Sequence, residues 1–276
     1  MAGAASIAGI RARYADEVTA AAGSPAVRDA FATVPRERFL GPGPWKILEL
    51  GSGYRSTPNA DPAHVYRDVL VALDAEAGIN NGQPSLHATC LAALDLQAGE
   101  DVVHIGCGTG YYTAIIADLV GPTGSVQGWE IEPTLAEIAA ENLADRPNVT
   151  VVPASATDGA LPDADAIYVS AGATTPMRAW VDALRPGGRL LFPLVGSDGG
   201  GMLLVTRRIA GFAARFVCGC RFIPCIGAQY RNDAEALDRA FRRSWSDVRS
   251  LRLDSRPDDT AWVAGDGWWL STAAVD

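Results

Sequence analysis

The sequence predicts an α/β protein with a doubly wound, mostly parallel sheet, an N-terminal helical cap and a C-terminal extension. Two observations support this fold class. Short apolar runs alternate with helical segments between residues 102 and 193, as a parallel sheet covered by helices requires. A glycine-rich turn also lies directly between the first of these runs and the next helix. With 276 residues, 48% of them hydrophobic, the chain is long enough to bury such a core.

The N-terminal third is predicted to be helical and irregular rather than sheet-forming. Apolar residues at helical spacing predict a helix over 7–22, and Ser24-Pro25 starts a second short helix. Glycine and proline are dense over 41–62, which predicts an irregular surface segment of the kind that shapes binding sites. After a polar turn, 86–94 is predicted to be helical, with Ser85 near its start.

The rest of the chain alternates between strand and helix patterns. The predicted strands are 102–105, 126–131, 149–152, 166–170 and 189–193. The predicted helices between them are 112–120, 134–143 and 177–184. The runs 202–207 and 213–223 have no helix between them, which predicts an antiparallel edge, and the tail from residue 231 is predicted to begin as a helix and end in strands within 262–271.

Charge and cysteine content exclude several classes of function. The formal net charge of −9 argues against nucleic acid and anionic membrane surfaces as partners, and no run of about 18 apolar residues spans a membrane. The apolar N-terminus has Arg11 and Arg13 after it rather than before it, the wrong order for a signal peptide. Five cysteines are an odd number in a chain of this size, which predicts a reducing, cytoplasmic location. No metal site is predicted, because three of these thiols cluster without a nearby histidine.

The strongest motif is the glycine turn after the first predicted strand. It consists of Gly106, Cys107, Gly108, Thr109 and Gly110. Glycines at such a turn let a ligand lie against the backbone with no Cβ in the way. Tyr111 stands where the dinucleotide fingerprint has its third glycine, so a dinucleotide enzyme is the weaker interpretation.

An acidic residue ends the next predicted strand. Glu130 follows Gly110 by twenty residues, where a carboxylate accepts both hydroxyl protons of a ribose. The neighbouring Ile131 is predicted to contact the same ribose-containing cofactor. A second glycine pattern, 47–54, is interpreted as a loop, because Pro58 prevents a following helix and no strand ending in an acid comes next.

Several motifs agree with one known family. They are Val34-Pro35-Arg36-Glu37-Arg38-Phe39, Gly82-Gln83-Pro84-Ser85-Leu86-His87-Ala88, the cofactor loop 105–114, the runs 166–176 and 184–193, and Phe222-Ile223-Pro224. Over about 34–228 the chain therefore resembles the protein-L-isoaspartate O-methyltransferase family of class I methyltransferases, whose fold is Rossmann-like. The resemblance implies methyl transfer from S-adenosyl-L-methionine to an aspartate- or isoaspartate-type carboxylate of a peptide or protein. The chain is predicted to divide into a helical cap and substrate loop over 1–95, a cofactor-binding core over 96–230 and an extension over 231–276 that is additional to the family's core.

Two positions depart from the family's pattern. Gly82 stands where the family has a serine that meets the substrate carboxylate, which argues against isoaspartate repair. Ser155 stands where the family has an acid that meets the adenine, and Asp158 is the nearest substitute. The departures indicate a specialised relative, such as a peptide-modifying methyltransferase of a natural-product pathway.

The acceptor is expected at the polar turn before the 86–94 helix, where backbone amides at a positive helix end favour anionic oxygens. The candidate substrate-binding residues are Asn80, Asn81, Gly82, Gln83, Pro84, Ser85 and His87. His87 is equally consistent with a structural role, and Tyr111 with packing instead of a cofactor contact. No residue is assigned a catalytic role. Two other functions remain open: methylation of a small molecule, and cofactor binding without catalysis.

Overall fold

The computed structural model describes residues 6–49 and 51–275. Met1–Ala5 of the apolar N-terminus, Leu50 of the second glycine pattern and the last residue of the predicted extension lie outside the described residues. The helices are α1 (Ile7–Thr19), α2 (Pro25–Thr33), α3 (Pro84–Leu94), α4 (Tyr111–Val120), α5 (Pro133–Asn142), α6 (Arg178–Asp182) and α7 (Arg231–Ala240). The strands are β1 (Lys46–Glu49), β2 (Gly53–Ser56), β3 (Ala72–Asp74), β4 (Ile79–Asn80), β5 (Asp101–Ile105), β6 (Ser125–Trp129), β7 (Val149–Val152), β8 (Ala164–Val169), β9 (Leu184–Gly196), β10 (Gly199–Arg208), β11 (Gly211–Cys220), β12 (Ser250–Leu253), β13 (Ala261–Gly265) and β14 (Trp268–Ser271).

The chain divides into two compact units, one formed by 1–99 with 107–153 and the other by 100–106 with 154–276. The boundaries expected near residues 95 and 230 remain predictions. No helix in the described part of the chain is both long and apolar enough to cross a membrane.

The first unit contains the predicted helical cap and a parallel pair of strands, β6 and β7. Local signals explain where its helices begin. The Ser24 side chain accepts a hydrogen bond from the Val27 amide, and Pro25 occupies the first turn of α2, where a missing N–H costs nothing. Pro84 begins α3 in the same way, without a side-chain cap at Gln83.

The sequence predicts an irregular segment over 41–62, but the structure contains two strands there. The segment contains the antiparallel hairpin of β1 and β2, in which Lys46 pairs with Ser56. The hairpin is anchored by a small apolar core in which Trp45 and Ile47 pack with Val65 and Val71. Glycine and proline density therefore marked the turns of this segment but hid its two short strands.

The second unit holds most of the sheet. Strands β5, β8 and β9 pair in parallel, and beyond β9 the order β10, β11, β12, β14, β13 is antiparallel throughout. The α/β fold class and the antiparallel edge are confirmed, although the extension adds more antiparallel strands than predicted. Helix α7 packs against β9 and β13.

Two elements of the second unit differ from the prediction. The helix expected over 177–184 ends at Asp182, because Leu184 already pairs with Ala164 as the first residue of β9. Strand β12 was not predicted, although it joins β11 to β14.

Candidate functional site

The glycine loop connects β5 to α4 in a conformation that depends on glycine. Gly108 has φ +56° and Gly110 has φ +97°, both in the left-handed region that other residues rarely occupy. A Cβ on Gly110 would lie 2.7 Å from Cδ1 of Leu143, so the close packing of α5 also requires glycine there. The loop is held in place from both sides, since the Cys107 amide donates to the Trp129 carbonyl at 3.1 Å and the Asn142 side chain donates to the Thr109 carbonyl at 3.0 Å.

Glu130 lies directly after β6 and is bound to this loop. One of its carboxylate oxygens accepts the Gly108 amide at 2.7 Å, and the other accepts the Glu132 amide at 3.0 Å. An ionised carboxylate has about four acceptor positions, so these two bonds leave capacity for two hydroxyl donors. Glu132 donates its amide to Glu130, so it supports the Glu130 carboxylate.

The surface beside Glu130 suits an aromatic ring. Ile131 is 39% exposed, which is unusual among the large hydrophobic side chains of the described residues. An apolar side chain next to a carboxylate with free acceptor positions is the arrangement that an adenosine would need. The glycine loop, Glu130 and Ile131 therefore fit S-adenosylmethionine.

The Tyr111 side chain is buried among other aromatic side chains, which is the packing role that the sequence left open. It is 2% exposed, its hydroxyl lies 3.3 Å from that of Tyr14, and its ring packs against Phe31 and Phe39. The side chain therefore ties α4 to the helical cap, and only the Tyr111 backbone belongs to the cofactor loop. Burial raises the pKa of Tyr111 well above its ordinary value, so the phenol stays neutral.

Ser155 and Asp158 lie in the second unit. The Ser155 hydroxyl is 2.8 Å from that of Thr157 and accepts the Thr157 amide at 3.2 Å. Asp158 is exposed, and its carboxylate is 3.5 Å from the Thr157 hydroxyl. Their predicted contact with the adenine stays a prediction.

The turn after β4, here called the acceptor turn (residues 80–85), is held by its own polar groups. The Asn80 side chain accepts the Gly82 amide at 2.9 Å, and the Asn81 side-chain oxygen accepts the Val71 amide at 2.9 Å. That second bond fixes the orientation of the Asn81 amide. Its nitrogen, Nδ2, is buried and has no hydrogen-bond partner among the described residues.

The start of α3 differs from the expectation that its amides stand open to an anion. Asp68 accepts the Ser85 amide at 2.9 Å and the Ser85 hydroxyl at 2.7 Å. The same carboxylate accepts the Gln83 side-chain amide at 2.8 Å. A carboxylate of the chain itself thus already occupies this helix end, and Ser85 is not free to bind a substrate. Sequence reasoning missed Asp68, which lies 17 residues before Ser85 and matches no local motif.

His87 fills the space beside Gly82. Gly82 has φ +73°, and a Cβ built on it would lie 2.2 Å from Nε2 of His87. The imidazole is 2% exposed and is stacked on Tyr112, with ring centroids 3.6 Å apart and planes 8° apart. No serine fits at position 82 unless His87 moves, which gives a physical reason for the departure from the family pattern.

The acceptor turn lies close to the cofactor loop within the first unit. Strands β3 and β4 form a short hairpin that leads into the turn, and Leu73 of β3 packs over the loop. A Cβ on Gly108 would be 3.3 Å from Cδ1 of Leu73. The segment before β3 is fixed by Arg36, which is fully buried and donates to the backbone carbonyls of Val65, Arg67 and Val69.

Comparisons with known proteins agree with this geometry. The family model for protein-L-isoaspartate(D-aspartate) O-methyltransferase matches residues 17–230. A protein-L-isoaspartate O-methyltransferase of Methanothrix thermoacetophila is 36% identical over 212 residues, which cover 74% of this chain and 89% of the relative. One of Brucella anthropi is 33% identical over 208 residues, covering 73% and 85%.

Two solved structures have the same fold. A protein-L-isoaspartate O-methyltransferase superposes with a TM-score of 0.66 at 25% identity, covering 89% of this chain and 74% of its own. Another, from Plasmodium falciparum in complex with S-adenosyl-L-homocysteine, has a TM-score of 0.64 at 18% identity and covers 79% and 98%.

The parallel strands, the glycine loop and the carboxylate after β6 define a class I S-adenosylmethionine-dependent methyltransferase with a Rossmann-like fold. The family match covers most of the chain, and relatives more than 30% identical span nearly three quarters of it. The chain belongs to the protein-L-isoaspartate(D-aspartate) O-methyltransferase family.

Proposed function

We propose that this enzyme methylates an aspartate- or isoaspartate-type carboxylate of a peptide or protein, as a specialised relative of the repair enzymes. The observation that carries the proposal is the family match over residues 17–230, and it is supported by Asn81 Nδ2, a buried donor of the acceptor turn that has no partner among the described residues. Buried polar groups are nearly always satisfied, so such a donor suits a ligand oxygen. The other polar candidates of the turn are already engaged, since Asn80 binds Gly82 and both Gln83 and Ser85 bind Asp68.

The proposed reaction places few demands on acid–base chemistry. A carboxylate is ionised at neutral pH and is itself the nucleophile, so no general base is needed. S-adenosylmethionine, when bound, supplies an electrophilic methyl group. The task of the chain is alignment, an effect that contributes up to about 7–11 kcal/mol in ideal cases. Glu130 and the glycine loop hold the cofactor, and Asn81 orients the acceptor oxygen.

The chain also keeps a competing nucleophile of its own unreactive. Cys107 lies within the cofactor loop, where burial and the nearby Glu130 carboxylate raise the pKa of the thiol well above its ordinary value. A protonated thiol is a weak nucleophile compared with a thiolate. Self-methylation at Cys107 is therefore disfavoured.

The specialisation rests on Gly82 and His87. In the family that the chain resembles, a serine at the position of Gly82 meets the substrate carboxylate. Here the His87 ring occupies the space that the serine side chain would need. The acceptor carboxylate would therefore contact the backbone of Gly82 and the side-chain amide of Asn81. This difference supports a peptide substrate other than the damaged proteins of general repair. We also propose a cytoplasmic location, which the five free cysteines support.

Peptide methylation measured by mass spectrometry tests the proposal. Peptides containing aspartate, isoaspartate or only a C-terminal carboxylate are incubated with enzyme and S-adenosylmethionine, and an ester appears as a gain of about 14 Da that base removes. Methylation of small acids alone would refute the peptide substrate. Efficient methylation of every isoaspartyl peptide irrespective of sequence would refute the specialisation. Calorimetric binding of cofactor with no transfer to any acceptor would indicate a non-catalytic module.

The role of Asn81 has its own test. Asn81→Asp keeps the oxygen that accepts the Val71 amide but replaces the free donor with a negative charge. We expect KM for the peptide to rise at least tenfold, since a lost hydrogen bond to a charged group is worth about 1.5–3 kcal/mol. Gln97→Glu, on an exposed turn outside the site, makes the same change in charge and controls for it. Equal KM values for the two variants would remove Asn81 from the acceptor site.

A further inference from the structure

A cavity lies beside the acceptor turn in the first unit. It has a volume of about 440 Å³, and its walls come from the β1–β2 hairpin, the segment 67–70 and one residue of the acceptor turn. The polar side chains in its walls include Glu49, Arg55, His64, Arg67, Asp68 and Gln83. Gln83 makes the cavity continuous with the acceptor turn.

The walls carry two positive and two negative side chains, and two of the four form an ion pair. Glu49 pairs with Arg55 at 3.1 Å, and the Asp68 carboxylate binds Ser85 and Gln83. Arg67 is exposed, and no carboxylate in 6–49 or 51–275 lies within 4.0 Å of its guanidinium. Among the described residues, Arg67 is therefore the one cation of these walls without a carboxylate partner, whereas the Asp68 carboxylate is bound by uncharged donors.

The backbone that carries Arg67 is fixed before any ligand arrives. The buried Arg36 guanidinium donates to the carbonyls of Val65, Arg67 and Val69, so hydrogen bonds fix the backbone at alternate residues of this segment. The Leu48 amide donates to the Leu70 carbonyl at 2.9 Å and connects the segment to the hairpin. A cation on a preorganised backbone loses less entropy when it binds an anion.

We infer that this cavity is a subsite for an acidic residue of the peptide substrate, near the carboxylate that is methylated, with Arg67 as its ligand. The inference rests on the proposed function, since it assigns to the same peptide a second point of contact. Guanidinium groups bind carboxylates in a bidentate geometry, which suits a specificity site. In a chain with a net charge of −9, this contact selects acidic peptides that the rest of the surface repels.

The test compares pairs of peptides that differ in one residue near the acceptor aspartate, which is glutamate in one peptide and glutamine in the other. This residue is placed at each flanking position in turn. We expect a lower KM for glutamate at one of these positions, with kcat unchanged. In Arg67→Gln the KM of that peptide rises roughly three- to tenfold, whereas the glutamine peptide is unaffected. Arg67→Lys restores part of the preference. Lys46→Gln, which removes one exposed charge from the same hairpin outside the cavity, leaves it intact.

Binding of fluorescent peptides, measured by anisotropy with S-adenosylhomocysteine present, separates this inference from the proposed function. If no peptide is methylated but Arg67→Gln weakens binding of the glutamate peptide, the proposed reaction fails and the subsite stands. If peptides are methylated with no preference for glutamate, or Arg67→Gln and Lys46→Gln behave alike, the subsite is refuted. A preference for glutamine over glutamate would refute it as well.

Discussion

Substitution of Gly82 gives the sharpest test of the acceptor turn, because two separate costs meet at one position. A residue other than glycine at φ +73° costs about 1–2 kcal/mol in backbone strain. Its Cβ would also lie 2.2 Å from His87 Nε2, and something must move. The ring is buried and stacked on Tyr112, so moving it costs about 1–3 kcal/mol as overpacking.

We therefore expect Gly82→Ala to lower the free energy of unfolding by about 2–5 kcal/mol. In a His87→Ala background the steric cost disappears, and only the strain of about 1–2 kcal/mol remains. The coupling between the two substitutions should be about 1–3 kcal/mol, within the range seen for residues in contact. Urea unfolding of the wild type, both single variants and the double variant measures it.

The control is Gly23→Ala, in the turn after α1, with φ +65° and nothing within 4 Å of the added Cβ. It should cost only the strain, with no coupling to His87→Ala. A coupling below about 0.5 kcal/mol between Gly82→Ala and His87→Ala would show that the imidazole does not fill this space, and the account of the missing serine would fail.

Three further predictions concern the cofactor loop and the fold. Glu130→Gln should weaken S-adenosylmethionine binding at least tenfold by calorimetry, because hydrogen bonds to a charged group are worth about 1.5–3 kcal/mol; an affinity no different from that of Glu132→Gln would contradict the ribose assignment. Gly110→Ala should destabilise the fold by about 2–5 kcal/mol, more than Gly23→Ala, since it adds a clash to the strain; equal urea midpoints would argue against that clash. Burial lowers the pKa of His104 to about 3, so the stability that this neutral ring contributes is complete above about pH 6.5 and is lost as pH falls towards 3. The wild type therefore loses unfolding free energy between pH 7 and pH 5, and His104→Phe should reduce that loss by roughly 2 kcal/mol. An unchanged loss would show that the ring is accessible to protons.

The sequence predicted those features that local chemistry encodes. The glycine loop was identified because three closely spaced glycines between a strand and a helix satisfy a backbone requirement visible within ten residues. Glu130 was proposed as a ribose ligand from its spacing, and most helices and strands were predicted from their periodicity. The short β3 and β4 strands and β12 were missed, because strands of two to four residues carry too few positions for an alternating pattern.

The sequence predicted where the acceptor site lies but not its chemistry, which depends on tertiary contacts. The sequence placed it at residues 80–87, but whether Ser85 or Asn81 is available depends on Asp68, which reaches the start of α3 from a separate segment. The occupancy of the space beside Gly82 depends on how the His87 ring packs against Tyr112. Hydrogen bonds and packing between segments distant in the chain leave no periodic signal in the sequence. The sequence alone therefore determined the cofactor and the fold class, while the three-dimensional packing decided which polar groups remain for the substrate.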